Sequence, residues 1–310
     1  MKVYAALGTI YVVWGSTFLA IEYAVRTLPP FLAMSARHLV AGSLLFAWAL
    51  WRRPREPIGR AQILAATVFG GALFLGSHGG LAWSQTRIPS GVAALIVASI
   101  PLWIAVLDRV AFGKRLSARA VAGLLLGFAG IAALVDPFGG GPIDTVGGLV
   151  ALLSAGSWAA GSLYARGARL PSDPIASAGL ASLAGGVLLL VASAAGGELA
   201  GLDPAAIAGE SLAGVVYLIV MGSLVGLTAY VWLLRAAPIS LVATYAYVNP
   251  VVAVLLGWAV VGEEISARVL IAGAAIVVAV ALIVSAPAGR ADGRGLFRRG
   301  VAVEDVSPTR

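Results

Sequence analysis

The chain has 310 residues, of which 60% are hydrophobic and 11% charged, with 39 glycines and no cysteine. That composition excludes an ordinary soluble domain, and the missing cysteine excludes disulfides, thiolate zinc sites and iron–sulfur clusters. The net charge of +7 would fit a nucleic-acid surface only if the basic residues gathered on one, whereas here they fall in short segments flanking apolar runs.

A helix that crosses the hydrocarbon core needs roughly 20 apolar residues. Ten such runs are read in chain order: Val3–Ala24, Pro30–Trp51, Ile63–Trp83, Ser90–Phe112, Ala120–Val135, Val146–Tyr164, Ile175–Ala195, Leu212–Leu234, Ile239–Val261 and Val269–Ala286. The fifth is the shortest. None shows the strict alternation of barrel strands. Val3–Ala24 is too long for a signal-peptide core and has no clean small-residue cleavage site, so it is expected to remain as a span. From Pro287 the chain turns polar and basic, and a flexible tail is expected over 287–310.

The sequence repeats itself. A shift of about 149 residues puts Trp83, Pro89, Pro101, Gly113 and Ser117-Ala118-Arg119 on Trp232, Pro238, Pro250, Gly262 and Ser266-Ala267-Arg268. A shift of about 144 puts Trp14, Pro30 and Gly42 on Trp158, Pro174 and Gly186, and one longer loop near Gly197–Ser211 accounts for the difference. The chain is therefore expected to be all-α, with ten transmembrane helices in two five-helix repeats, residues 1–143 and 144–286. An odd number of spans inverts the second copy, and inverted repeats with matching helix interruptions are the sequence mark of secondary transporters.

Charge sets the expected orientation. With both termini in the cytoplasm, sixteen lysines and arginines lie inside against three outside, Arg26, Arg87 and Arg268. The inside set comprises Lys2, Arg52, Arg53, Arg55, Arg60, Lys114, Arg115, Arg119, Arg166, Arg169, Arg235 and the tail's Arg290, Arg294, Arg298, Arg299 and Arg310. The outside loops hold Asp136, Asp144, Glu198, Asp203, Glu210, Glu263 and Glu264. The repeated motif agrees: Gly113-Lys114-Arg115-Leu116-Ser117 is basic, and its copy Gly262-Glu263-Glu264-Ile265-Ser266 is acidic.

Trp14-Gly15-Ser16-Thr17-Phe18, Pro29-Pro30 with Arg37, Pro101 with Gly113–Ser117, and Asn249-Pro250 with Gly262–Ser266 together resemble the EamA-type transporters of the drug/metabolite transporter superfamily. The resemblance covers about residues 3 to 286. It implies ten helices, cytoplasmic termini, a plasma (inner) membrane location, and a central cavity through which small metabolites such as amino acids move, often outward. The family often has Glu where this chain has Lys114, so a role for that acid is not carried over to the first half.

Pro101 and Pro250 each lie 12 residues after the proline opening their span, roughly 18 Å along the helix and near the bilayer midplane. Each frees a carbonyl, of Val97 or Ala246, that lipid cannot satisfy. They read as hinges or cavity wall, the plain alternative being passive kinks. Glu22 and Arg37 lie about seven residues to either side of Pro29-Pro30, at one depth on consecutive helices, and a buried pair is expected, serving a substrate or proton or structure alone. His38 reads as interfacial.

His78 fits a proton relay or a neutral histidine bonded between helices. Ser99, Trp14 and Trp158, Tyr230, Thr244, Tyr245 and Asn249 complete the candidate wall of the cavity, with packing or an interfacial belt as the alternative for the aromatics. Asp108-Arg109 reads as mutual pairing near a helix end. Gly123…Gly127 and Gly222…Gly226 read as close helix packing.

Transport is the leading function. No GxxxxGK[ST] phosphate loop is present, so a proton gradient or substrate exchange is expected to supply energy. An intramembrane enzyme would need a nucleophile or ligand set; HExxH and GxSxG are both missing, and His38 and His78 are the only histidines. A passive channel or scaffold is the third class. No cofactor or metal is expected; the expected partners are a small-molecule substrate, membrane lipid and coupled protons, with no nucleic acid.

Overall fold

A computed structural model describes residues 1–52, 57–113, 115–136 and 143–285, with backbone alone for Val231, Leu234, Arg235, Ile239 and Ser240. Arg53, Arg55, Lys114, the expected tail 287–310 and the side chain of Arg235 lie outside the described residues.

The described residues form helices and no strand. In chain order the spans are α1 Lys2–Val25, α2 Pro30–Trp51, α3 Arg60–Ser84, α4 Ser90–Phe112, α5 Ala118–Val135, α6 Thr145–Ala165, α7 Pro174–Ala195, α8 residues 209–236, α9 residues 239–261 and α10 Ala267–Val284. Nine described helices are long and apolar enough to cross a membrane, and Tyr245–Val261 adds a shorter apolar helix in α9. Below, the near end of the bundle is the one where α1 begins, and the far end is the one where it finishes.

The repeated sequence motifs are helix punctuation. Gly113 and Gly262 end α4 and α9 in the left-handed conformation, at φ 67° and 71°. Ser117 and Ser266 then cap the next helices, their hydroxyls accepting from the backbone N–H of Ala120 and Val269.

The two halves interlock instead of packing as separate bundles. α2 lies along α7, its repeat equivalent, and α5 lies along α10. Glycines permit the close approach: a Cβ on Gly179 would stand 2.7 Å from the Phe46 backbone, and one on Gly123 would meet Ala279 and Ile283. Ser35 Oγ donates to the Gly186 carbonyl at 2.9 Å across the α2–α7 seam. The first helix of each half packs on the third and fourth helices of the other: α1 on α8 and α9, α6 on α3 and α4. The single largest cluster of buried apolar residues draws from both halves.

The interruptions are less symmetric than the prolines. α4 breaks at Ala98–Ser99, so Pro101 falls in the first turn of the second segment, where a missing N–H costs little. α9 breaks at Ala243–Thr244, and Pro250 sits inside the helix that follows. The two breaks therefore stand at different distances before the matching prolines, two to three residues in α4 and six to seven in α9. The better-matched irregularities are π-helical stretches, Gly71–Gly79 in α3 and Leu218–Val225 in α8, which overlap under the repeat shift.

Gly179→Val should force the α2–α7 seam apart and destabilise the protein by about 1–3 kcal/mol. Gly8, with nothing within 4 Å of an added Cβ, should accept alanine without loss. Thermal unfolding of the two purified variants in detergent checks the contrast.

Candidate functional site

A π-helical stretch widens the turn and loosens the carbonyl ladder, and such bulges gather at functional sites. In both halves a side-chain donor from the other half meets a carbonyl of the widened stretch. Trp14 Nε1 on α1 donates to Gly222 O on α8 at 3.2 Å, and Ser157 Oγ on α6 donates to Ala72 O on α3 at 2.8 Å. Trp14 and Trp158, repeat equivalents, thus both sit at a cross-half seam.

Around each tryptophan lies an aromatic cluster. Trp14 stands 5.2 Å from Tyr230 and 5.1 Å from Tyr245, ring centre to ring centre, and the two tyrosines meet edge to face at 5.9 Å. Tyr11 and Thr244 share a hydroxyl–hydroxyl contact below them. Tyr230 and Tyr245 are each six residues from the near ends of α8 and α9, about 9 Å deep. Trp158 stands 5.4 Å from His78, and His78 packs against His38 and Phe74. His78 is six residues from the far end of α3, while Trp158 is 13 residues from the far end of α6 and seven from its near end.

His38 Nε2 and His78 Nδ1 are 2.8 Å apart, and His38 Nδ1 is 3.3 Å from Ser182 Oγ. One imidazole must donate and the other accept, so a hydrogen-bonded line runs from α7 through α2 to α3. His38 is 2% exposed, which corrects the expectation of an interfacial residue: it faces α7, the closest neighbour of α2.

Glu22 and Arg37 are not paired. Glu22 Oε1 is 3.6 Å from Arg26, which also reaches Glu210 at 3.5 Å, and the Glu22 carboxyl lies beside Ser90 and Glu263. Arg37 turns the other way, its Nε donating to Ser223 Oγ at 3.2 Å. The physical reason is the interlock: α1 and α2 are consecutive but scarcely touch, because each packs on helices of the other half.

Asn249 is buried one turn after Tyr245, with its Oδ1 lacking a partner among the described residues. Its backbone carbonyl faces Gly15, where an added Cβ would also meet Val252. Ser99, at the break in α4, is fully buried with an unpartnered hydroxyl among the described residues. Pro101 and Pro250 flank these positions. The central cavity expected between α4 and α9 is not among the best-formed pockets of the described residues. Those are shallow and lie at the two ends, one beside Pro57, Gln62 and Asp173, the other beside Pro89, Val254 and Glu263. Asp108 pairs with Arg166 at 3.0 Å, which corrects the expected pairing with Arg109.

Sequence reasoning missed the far-end clamps. Glu198, in the loop after α7, accepts from Phe31 N and Leu32 N at 3.2 and 3.0 Å, capping α2. Glu263, in the loop after α9, accepts from Ser90 N, Ser90 Oγ and Gly91 N at 2.7, 2.5 and 2.9 Å, capping α4. Both acids belong to the second half and both helices to the first. The signal was present as Pro29-Pro30 and Pro89-Ser90, helix starts with no capping acid of their own. Ser157 and Ser223 were also missed, and Gly222 was read as helix packing alone, because a widened turn has no sequence period.

These contacts define the class: an integral membrane protein of apolar helices built from a duplicated unit whose halves exchange their first helices. Comparison with known proteins gives the same duplication. The profile of the EamA-like transporter family matches residues 2–135 and again 145–285. The chain is 36% identical over 290 residues to the uncharacterized inner membrane transporter YedA of Escherichia coli (strain K12), covering 91% of this chain and 90% of that one. It is 28% identical over 158 residues, half of each chain, to the probable amino-acid metabolite efflux pump of the same organism. A chain from a solved crystal structure matches with a TM-score of 0.58 at 26% identity, covering 90% of this chain and 94% of that one. The chain belongs to the EamA-like transporter family, and it is a membrane transporter.

Glu263→Ala leaves two helix N–H groups of α4 without their acceptor and should cost about 1–2 kcal/mol. The seam beside Ser90 should then open more often. A cysteine at the buried Val92, the sole thiol of the protein, should react faster with a thiol reagent in the Glu263→Ala background.

Proposed function

We propose that the chain is a secondary carrier of small metabolites, amino acids or related polar and amphipathic compounds, which it moves outward across the plasma (inner) membrane by alternating access. One observation carries this reading: two cross-half seams, α1 on α8 and α6 on α3, each hold a tryptophan, with Tyr230 and Tyr245 beside one of them toward the near end and His78 beside the other toward the far end. Two such plugs flanking a shared middle layer are what a carrier needs, because one can part while the other stays shut. The site lies between them, lined by Trp14, Ser99, Trp158, Tyr245 and Asn249, with the breaks near Pro101 and in α9 as hinges. The similarity to a relative named as an amino-acid metabolite efflux pump supports both the substrate class and the direction. A proton gradient or exchange supplies the energy, and the histidine line is a candidate proton path.

In this reading the near end faces the cytoplasm, as the positive charges require. Cysteines at the exposed Ala118 and Ala267, next to the two capping serines, test it. In intact cells a membrane-impermeant thiol reagent should label position 267 and spare 118; the reverse pattern overturns the orientation.

Counterflow separates a carrier from a channel. Vesicles holding the protein and loaded with an amino-acid mixture should take up external labelled amino acid transiently above equilibrium, which a pore cannot do. Asn249→Ala should lower that uptake about tenfold while leaving the yield of folded protein unchanged, since a buried amide without a partner contributes to binding more than to stability. Unchanged counterflow in this variant removes Asn249 from the site.

A further inference from the structure

Arg37 is 5% exposed, seven residues or about 10 Å from the far end of α2. Its Nε bonds Ser223 Oγ, and one Nη stands 3.3 Å from where a Cβ on Gly222 would be. The rest of its planar fork has no hydrogen-bond or ion-pair partner among the described residues. A guanidinium stays charged under all ordinary conditions, and a lone charge at this depth costs several kcal/mol. No carboxylate among the described residues pairs with it: Glu198 and Glu263 hold the starts of α2 and α4, Glu210 meets Arg26, and Glu22, whose Oε1 faces Arg26 and whose Oε2 has no partner there, makes no ion pair with Arg37 either.

The surroundings say what kind of anion is missing. Gly222, against the fork, is the residue whose carbonyl Trp14 holds, so the guanidinium lies one residue from Trp14, whose ring leads on to Tyr230 and Tyr245 nearer the other end. On its other side the next residue, His38, leads to His78 and Trp158. The other arginine within a first-half span, Arg109, lies at the near end of α4. A single fork with one hydroxyl beside it matches one carboxylate, whose two oxygens it can take in parallel, and the flanking rings match an apolar or aromatic body.

We propose that Arg37 is the anion-holding residue of the transport site and selects monocarboxylates with an apolar or aromatic portion, the carboxylate docking on the guanidinium beside Ser223. This rests on the carrier reading above and narrows its substrate class. Arg37 thus acts as a binding residue, and its lone charge is completed only when substrate is aboard.

The test is binding to the purified full-length protein in detergent, read as thermal stabilisation over a concentration series. Three matched pairs serve as probes: N-acetyl-phenylalanine, N-acetyl-leucine and N-acetyl-alanine, each against its neutral amide. The phenylalanine and leucine acids should stabilise the protein and their amides should bind about tenfold more weakly or worse. Arg37→Gln should abolish the preference for acid over amide. Arg37→Lys, which keeps the charge but not the fork, should retain the preference with weaker binding. It also serves as the readout if the glutamine variant does not fold. Amides that bind as well as acids, an acid preference that survives Arg37→Gln, or no stabilisation by any acid each overturn the proposal. Because no transport is measured, acid-selective binding with no counterflow would count against the carrier reading and leave the anion site standing.

Discussion

Inside a bilayer a backbone carbonyl that leaves its helical partner has no water to turn to. α3 and α8 both widen at mid-depth, and so both depend on a donor from another helix. The protein supplies those donors from the opposite half, Trp14 to α8 and Ser157 to α3. Those two bonds join the close glycine contacts and the shared apolar core in holding the halves interlocked. Once α1 must sit on α8 and α6 on α3, neither half can close a bundle around its own first helix. The neighbours of α2 and α5 are then their own repeat equivalents, α7 and α10.

The same arrangement places the tryptophans. Each lies on the first helix of its half, at a repeat-equivalent position, and each faces the third helix of the other half. Around them the two copies have diverged in chemistry. The first half contributes ionisable side chains, the buried Arg37 and His38 and the half-buried His78, while the second contributes Tyr230, Tyr245 and Asn249. A duplicated frame with unlike walls can hold an unlike molecule, one with a charged end and an apolar body, and still keep seams at both faces that part by related motions.

The far end adds a division of labour between halves. Helices α2 and α4 begin with proline, which needs no partner for its own nitrogen but brings no acceptor for the N–H groups behind it. Glu198 and Glu263 of the second half provide those acceptors. Charge at this end therefore acts as a joint between halves. Each acid engaged there is unavailable to Arg37, which leaves that guanidinium buried with one hydroxyl for company.

Much of the architecture was legible in the sequence because it is written in one dimension. Apolar length set the spans, the shift between Trp83–Arg119 and Trp232–Arg268 set the duplication, and Gly113…Ser117 with its copy marked helix stop and start, since a left-handed glycine and a capping serine act on their own neighbours. What the sequence could not decide was which helices touch. Equal depth on consecutive helices made Glu22 and Arg37 a natural pair, and His38 read as interfacial. Both expectations fail through the interlock: α1 and α2 scarcely touch, and the azimuth of α2 is fixed by α7, some 150 residues away. Widened turns, cross-half caps and the isolation of Arg37 are likewise properties of the assembled bundle, because each depends on satisfying polar groups between segments that the sequence keeps far apart.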